Sequence, residues 1–126
     1  FAGAVADAMA LFEKFEGKLT EVSGNLQKAV VEMAKEWRTD KILKDLDALL
    51  AIMDSKSAYL LSGSGDVIEP DDQVISIGSG SGYAVAAARA YLDAGEKDPS
   101  TIVKKSLQIT ADICIYTNDN ITILKA

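Results

Sequence analysis

VISIGSGSGYAVAAARAYL, Val74 to Leu92, joins two periodicities. An apolar alternation over Val74–Ile77 reads as a strand, and a small-residue pattern from about Gly80–Tyr83 to Asp93 reads as a helix. Between them stands Gly78-Ser79-Gly80-Ser81-Gly82. The reading of this corner decides among a phosphate loop, a catalytic turn and a flexible connection.

A dinucleotide fingerprint requires G-x-G-x-x-G. Counted from Gly78 the last position is Tyr83, and counted from Gly80 it is Val85. The second parallel strand that should follow is replaced by Gly-Glu-Lys-Asp-Pro and another helix. No Gly-Lys-Ser/Thr exists for a nucleotide phosphate loop. A supporting catalytic turn is open: Ser79 lies just past the strand, and free N–H groups at a helix start attract negative charge. A structural role is open too. Glycine permits close packing, and the Ala-rich run Ala84–Ala90 lets another helix approach. The chain's own chemistry favours the structural role.

Outward from this corner the chain orders itself as helices, strands, helices, strands. Val5, Ala8, Phe12, Phe15 and Leu19 predict an amphipathic helix over residues 4–19, weakened late by Gly17. Ser23-Gly24-Asn25 starts a second helix with the stripe Leu26, Val30, Met33 and Trp37, and a shorter helical piece spans Thr39–Asp47. Leu49–Met53 and Ser57–Leu61 read as a hairpin around Asp54-Ser55-Lys56. Asp66–Glu69 reads as a short strand stopped by Pro70, and Gln73–Ile77 as a further strand. Asp98-Pro99 opens a helix to Ile113, because Asp accepts from free N–H groups and Pro suits the first helical position. Ile113–Tyr116 and Ile121–Leu124 read as terminal strands around Thr117-Asn118-Asp119-Asn120. This is an α+β chain, expected as one domain over 1–126 with helix layers on antiparallel sheet.

Composition narrows function by exclusion. The 126 residues are 48% hydrophobic, enough for a core. No run approaches a transmembrane length, and no export signal is expected, so the chain reads as cytoplasmic with no membrane partner. The net charge of −6 and scattered cations argue against nucleic acid. No histidine exists, which excludes Ser-His-Asp and Cys-His mechanisms and His-based metal sites. The single Cys114 excludes an internal disulfide.

Several stretches together resemble one family. FAGAVADAMALFEKFEGKL, AVVEMAKEWRTDKILKDLDALLAIMD, GDVIEPDDQVISIGSGSGYAVAAARAYL and SLQITADICIYTND follow, in order, segments of the HslV (ClpQ) family of bacterial proteasome-like peptidases. Trp37-Arg38-Thr39-Asp40, the GSGSGYA run and Asp112-Ile113-Cys114 with Thr117-Asn118 are specific in combination. The resemblance implies an N-terminal-nucleophile hydrolase with an αββα sandwich. In that family a threonine at the mature N-terminus attacks the peptide carbonyl, with its own α-amino group and a lysine handling the proton. This chemistry needs no histidine.

Carried over by position, Gly3 matches the glycine whose N–H faces the oxyanion, and Ser79 matches the serine that hydrogen-bonds near the nucleophile's amino group. These two are the catalytic-site residues that the resemblance implies. Ala111, Cys114 and Thr117 match positions whose main-chain carbonyls hold a monovalent cation, with Na+ the expected ion. Hard cations favour oxygen, so Cys114 would act through its backbone. Asp112 fits a supporting or a capping role equally. The implied partners are copies of the chain in a double ring of six, the AAA+ ATPase HslU that binds the nucleotide, and unfolded protein substrates. No nucleotide is expected on this chain.

Two departures stand out. The family's N-terminal threonine, its acid and its lysine precede the position of Phe1, so residues 1–126 alone are expected to be inactive and the sandwich incomplete at the N-terminus. Ser81-Gly82 stands where the family more often has Gly-Asn. A non-catalytic assembly subunit or inactive fragment is therefore the alternative to a peptidase. A small-ligand or nucleotide-binding domain using the glycine turn is the third reading.

Overall fold

Local capping signals explain where most helices begin. The computed structural model of the chain describes residues 1–125, in two compact units, Phe1–Gln73 and Val74–Ala126. In the first unit, α1 spans Val5–Glu21 and α2 spans Leu26–Thr39. The Asn25 side chain accepts from the Lys28 N–H at 3.0 Å and caps α2. The predicted stripe of α2 is the observed one: Val30, Met33 and Trp37 are buried, with Ala29 and Ala34 beside them. On α1 the stripe is rotated. Leu11 is buried and Phe15 packs against the core, whereas Val5, Met9 and Phe12 are exposed. Apolar residues cover more than one face of this helix, so periodicity alone does not select the packed one.

Asp40 explains the change of direction after α2. Its carboxylate accepts from the N–H groups of Ile42 at 2.8 Å and Leu43 at 2.9 Å, which pulls its pKa below the usual carboxylate range. The helical piece expected over Thr39–Asp47 shrinks to the single 3-10 turn Leu43–Asp45. A three-stranded antiparallel sheet follows in the order β1 (Leu49–Met53), β2 (Ala58–Ser62), β3 (Val67–Ile68). The Asp54 carboxylate closes the hairpin by accepting from Lys56 and Ser57 N–H, each at 2.8 Å. Leu50 faces Leu61 and Ile52 faces Tyr59 across the first pair, and all four are buried. With Leu11, Val30, Met33, Trp37 and Leu43 they form the core of this unit.

The second unit is a helical hairpin, α3 (Ser81–Asp93) packed on α4 (Pro99–Ile113), joined by Ala94–Asp98. Asp98 caps α4 by accepting from the Thr101 N–H at 3.1 Å, with Pro99 at its start. The buried residues are small on α3, Ala84 and Ala88, and lie at four-residue steps on α4: Ile102, Ser106 and Thr110. That spacing gives a close seam between the helices.

Three predicted strands are absent. Gln73–Ile77 belongs to no sheet, Ile113 is the last residue of α4, and neither 114–116 nor Ile121–Leu124 pairs into a ladder. Alternation and β-branching describe how a segment suits a pleated surface, but a strand also requires a partner edge. At 113–114 the helix started by Asp98 runs through the apolar stretch, with the Cys114 N–H still bonding the Thr110 carbonyl.

Candidate active site

The expected site residues fall in both units. Gly3 lies in the first, between a bridge and a helix. Ala2 exchanges both backbone hydrogen bonds with Leu49 of β1, at 2.9 and 3.0 Å, and α1 begins at Val5. Gly3 has φ of 149°, a conformation that side chains rarely adopt. A Cβ there would also stand 2.9 Å from the Phe1 ring and 3.1 Å from the Ala48 methyl. Glycine is required at this corner on two grounds, conformation and space. Its exposed backbone is open to approach.

Ser79, Cys114 and Thr117 come together in the second unit. The Cys114 thiol donates to the Ser79 hydroxyl oxygen at 3.9 Å. The turn after α4 is closed by the Thr117 N–H, which donates to the Cys114 carbonyl at 3.0 Å. The thiol is held below the usual thiol range, first by the Thr117 hydroxyl and then by the Tyr116 N–H; burial opposes this, and Ser79 adds a smaller pull. Gly80, the N-cap of α3, fixes the geometry. A Cβ at Gly80 would clash with the Thr110 methyl and stand 2.7 Å from the Thr117 hydroxyl. Thr110 is itself locked, fully buried with its hydroxyl donating to the Ser106 carbonyl at 2.8 Å.

Thr110 and Gly80 fix how closely the Ser79 turn packs on α4, a contact that sequence reasoning missed. The signal was present: Ile102, Ser106, Thr110 and Cys114 recur every four residues, opposite a helix of small residues.

The donor chemistry at the end of α4 suits a monovalent cation. At the end of α4 the Cys114 N–H donates to the Thr110 carbonyl at 2.8 Å, and the Ala111 carbonyl lies beyond it. The Cys114 carbonyl uses one lone pair on Thr117 and retains another. These are neutral hard oxygens at the negative end of a helix. Among the described residues no group of three or more His, Cys, Asp and Glu side chains could hold a metal.

Known proteins match along nearly the whole chain. The proteasome subunit family model matches residues 1–126. The ATP-dependent protease subunit HslV of Caldicellulosiruptor saccharolyticus is 58% identical over 125 residues, covering 99% of this chain and 71% of that protein. Its namesake from Thermosipho melanesiensis is 54% identical over 98% of this chain and 70% of its own length. The crystal structure of eukaryotic HslV from Trypanosoma brucei superposes with a TM-score of 0.87 at 42% identity, over 93% of this chain and 68% of that one. The proteasome-like, N-terminal-nucleophile hydrolase fold expected from the sequence is therefore the fold of this chain. With fold, family model and relatives in agreement, the chain belongs to the proteasome subunit family, among its HslV-type threonine peptidases.

Proposed function

We propose that this chain is the proteolytic subunit of an ATP-dependent protease, cutting peptide bonds of unfolded proteins with an N-terminal threonine nucleophile. The observation that carries the reading is the 58% identity, over 99% of the chain, to a protein named as the subunit of such a protease. By the resemblance, the nucleophile precedes the position of Phe1. What residues 1–126 supply is its surroundings.

In this reading the Gly3 N–H donates to the oxygen that becomes negative as the carbonyl is attacked. A backbone donor fixed in advance costs no reorganisation when charge develops. Ser79 hydrogen-bonds the amino group that carries the proton, holding it where it can take and return that proton. The carbonyls of Ala111, Cys114 and Thr117 hold a monovalent cation, Na+ being the expected ion. Its charge, when bound, would steady the turn that carries Cys114 and Thr117.

The assembly is two stacked rings of six copies each, working in the cytoplasm with the AAA+ ATPase HslU, which binds the nucleotide and feeds unfolded chains. No helix among the described residues is long and apolar enough to cross a membrane.

The test combines intact mass with hydrolysis of a fluorogenic peptide, with and without the ATPase. The expected result is a mass above 13.4 kDa and hydrolysis that the ATPase stimulates and a threonine-directed inhibitor blocks. A protein with a free N-terminal threonine that still cleaves nothing would overturn the peptidase reading and favour an assembly subunit.

A further inference from the structure

Trp37 carries a polar group that the core of the first unit does not satisfy. Its side chain is fully buried, and no protein group among the described residues accepts from its indole N–H. An N–H taken out of water and left unpaired is costly, so buried donors pair with protein or with ordered water. The glycine turn after β2 shows what stands beside this donor. A Cβ on Gly63 would lie 3.2 Å from Trp37 Nε1 and 2.8 Å from the Leu46 carbonyl oxygen. One point is thus at hydrogen-bonding distance from a donor and from an acceptor. Leu46 follows the 3-10 turn, and its carbonyl accepts no backbone hydrogen bond among the described residues. The two groups are close enough for one water against the bare face of Gly63 to reach both. Leu46 and Gly63 also line an open groove of about 470 Å³, together with Asp45, Asp47, Ser62 and Ser64. Polar, roomy surroundings of this kind are what an ordered water requires.

We propose that one ordered water is part of the first unit, bound against Gly63: it accepts from the Trp37 indole N–H and donates to the Leu46 carbonyl. An internal water commonly makes about three hydrogen bonds, and its second proton is left for solvent in the groove. The bridge ties the end of α2 to the segment that leads into β1. That segment supports the corner at Gly3, where the Ala48 methyl lies 3.1 Å from the position of a Gly3 Cβ and Leu49 pairs with Ala2. Glycine at 63 leaves the space that the water needs. The inference stands whether or not the protein is a peptidase.

A high-resolution crystal structure of the full-length protein tests it directly. Density for a water within hydrogen-bonding distance of both Trp37 Nε1 and the Leu46 oxygen is expected. A dry site, or a protein acceptor on the indole, overturns the proposal. Ultraviolet resonance Raman supplies a second readout, because one indole band responds to N–H hydrogen bonding. Trp37 is the single tryptophan of residues 1–126, and subtracting the spectrum of Trp37→Phe isolates its band. The band is expected at the hydrogen-bonded position in wild type and at the free position in Gly63→Ala, with circular dichroism checking that each variant folds. A free-indole band in wild type overturns the proposal, and so does an unmoved band in folded Gly63→Ala. If a variant fails to fold, the wild-type density alone decides.

Discussion

Ser23 is the one non-glycine residue with positive φ among the described residues, at 55°. It sits just past α1, where the Ser23 N–H bonds the Thr20 carbonyl at 3.1 Å and the Gly24 N–H bonds the Leu19 carbonyl at 2.8 Å. This pair of bonds is the Schellman ending, whose left-handed position glycine normally fills. Ser23→Gly should raise the stability by about 0.5–1 kcal/mol, the relief of left-handed strain less the entropy of the freer chain. Chemical denaturation would show this as a higher midpoint at constant slope. At this scale the sequence was informative wherever the chemistry is local. Asp98 caps the helix it was expected to cap, and Asn25, within the expected start Ser23-Gly24-Asn25, caps the second, because the acceptor and its N–H are three residues apart. The Ser79–Cys114 contact was not legible, since 35 residues separate its partners. The resemblance assigned them to two different sites, Ser79 to the catalytic one and Cys114 to the cation one.

Helices were easier to read than strands for the same reason. A helix satisfies its backbone within its own segment, whereas a strand takes its hydrogen bonds from elsewhere. The β1–β2 hairpin was found because its partner follows at once through Asp54. Gln73–Ile77 and Ile121–Leu124 carry strand composition yet join no ladder. The seam between α3 and α4 allows a sharper test. Gly80→Ala should destabilise the protein by about 1–3 kcal/mol, as overpacking does, because the added methyl meets Thr110, and Thr110 is fully buried. A thermal melt would register the loss. Gly82→Ala, two residues along in α3, meets nothing within 4 Å and should leave the melting temperature unchanged or raised.

Across the whole molecule, charge pairing and ion binding set the response to solution conditions. Glu36 on α2 joins Lys14 at 2.7 Å and Lys18 at 2.9 Å on α1. The hydrogen bond from Lys14, then that from Lys18, depresses the Glu36 pKa, while both lysines are raised. A depressed carboxylate stabilises the fold above its unfolded pKa and loses that contribution as pH falls through the folded value. The raised lysines contribute below their unfolded pKa and lose it as pH rises through theirs. Glu36→Gln should therefore cost about 1 kcal/mol near neutrality, the upper end for solvent-screened pairs. The gap to wild type should close in acid and again in strong alkali, as read by denaturation at several pH values. Replacing Na+ with a bulky organic cation should lower the melting temperature if the carbonyls of Ala111, Cys114 and Thr117 bind the small ion, since a ligand of the folded state stabilises it by mass action. The α3–α4 seam also bears on the order in which the molecule acquires its structure. Only Ala94–Asp98 separates the two helices, so bringing them together closes a short loop at small entropic cost. Contacts near in sequence form fast. The end of the seam beside Ala94–Asp98 is thus expected to close early, with the turns bearing Ser79 and Cys114, 35 residues apart at its far end, joining last.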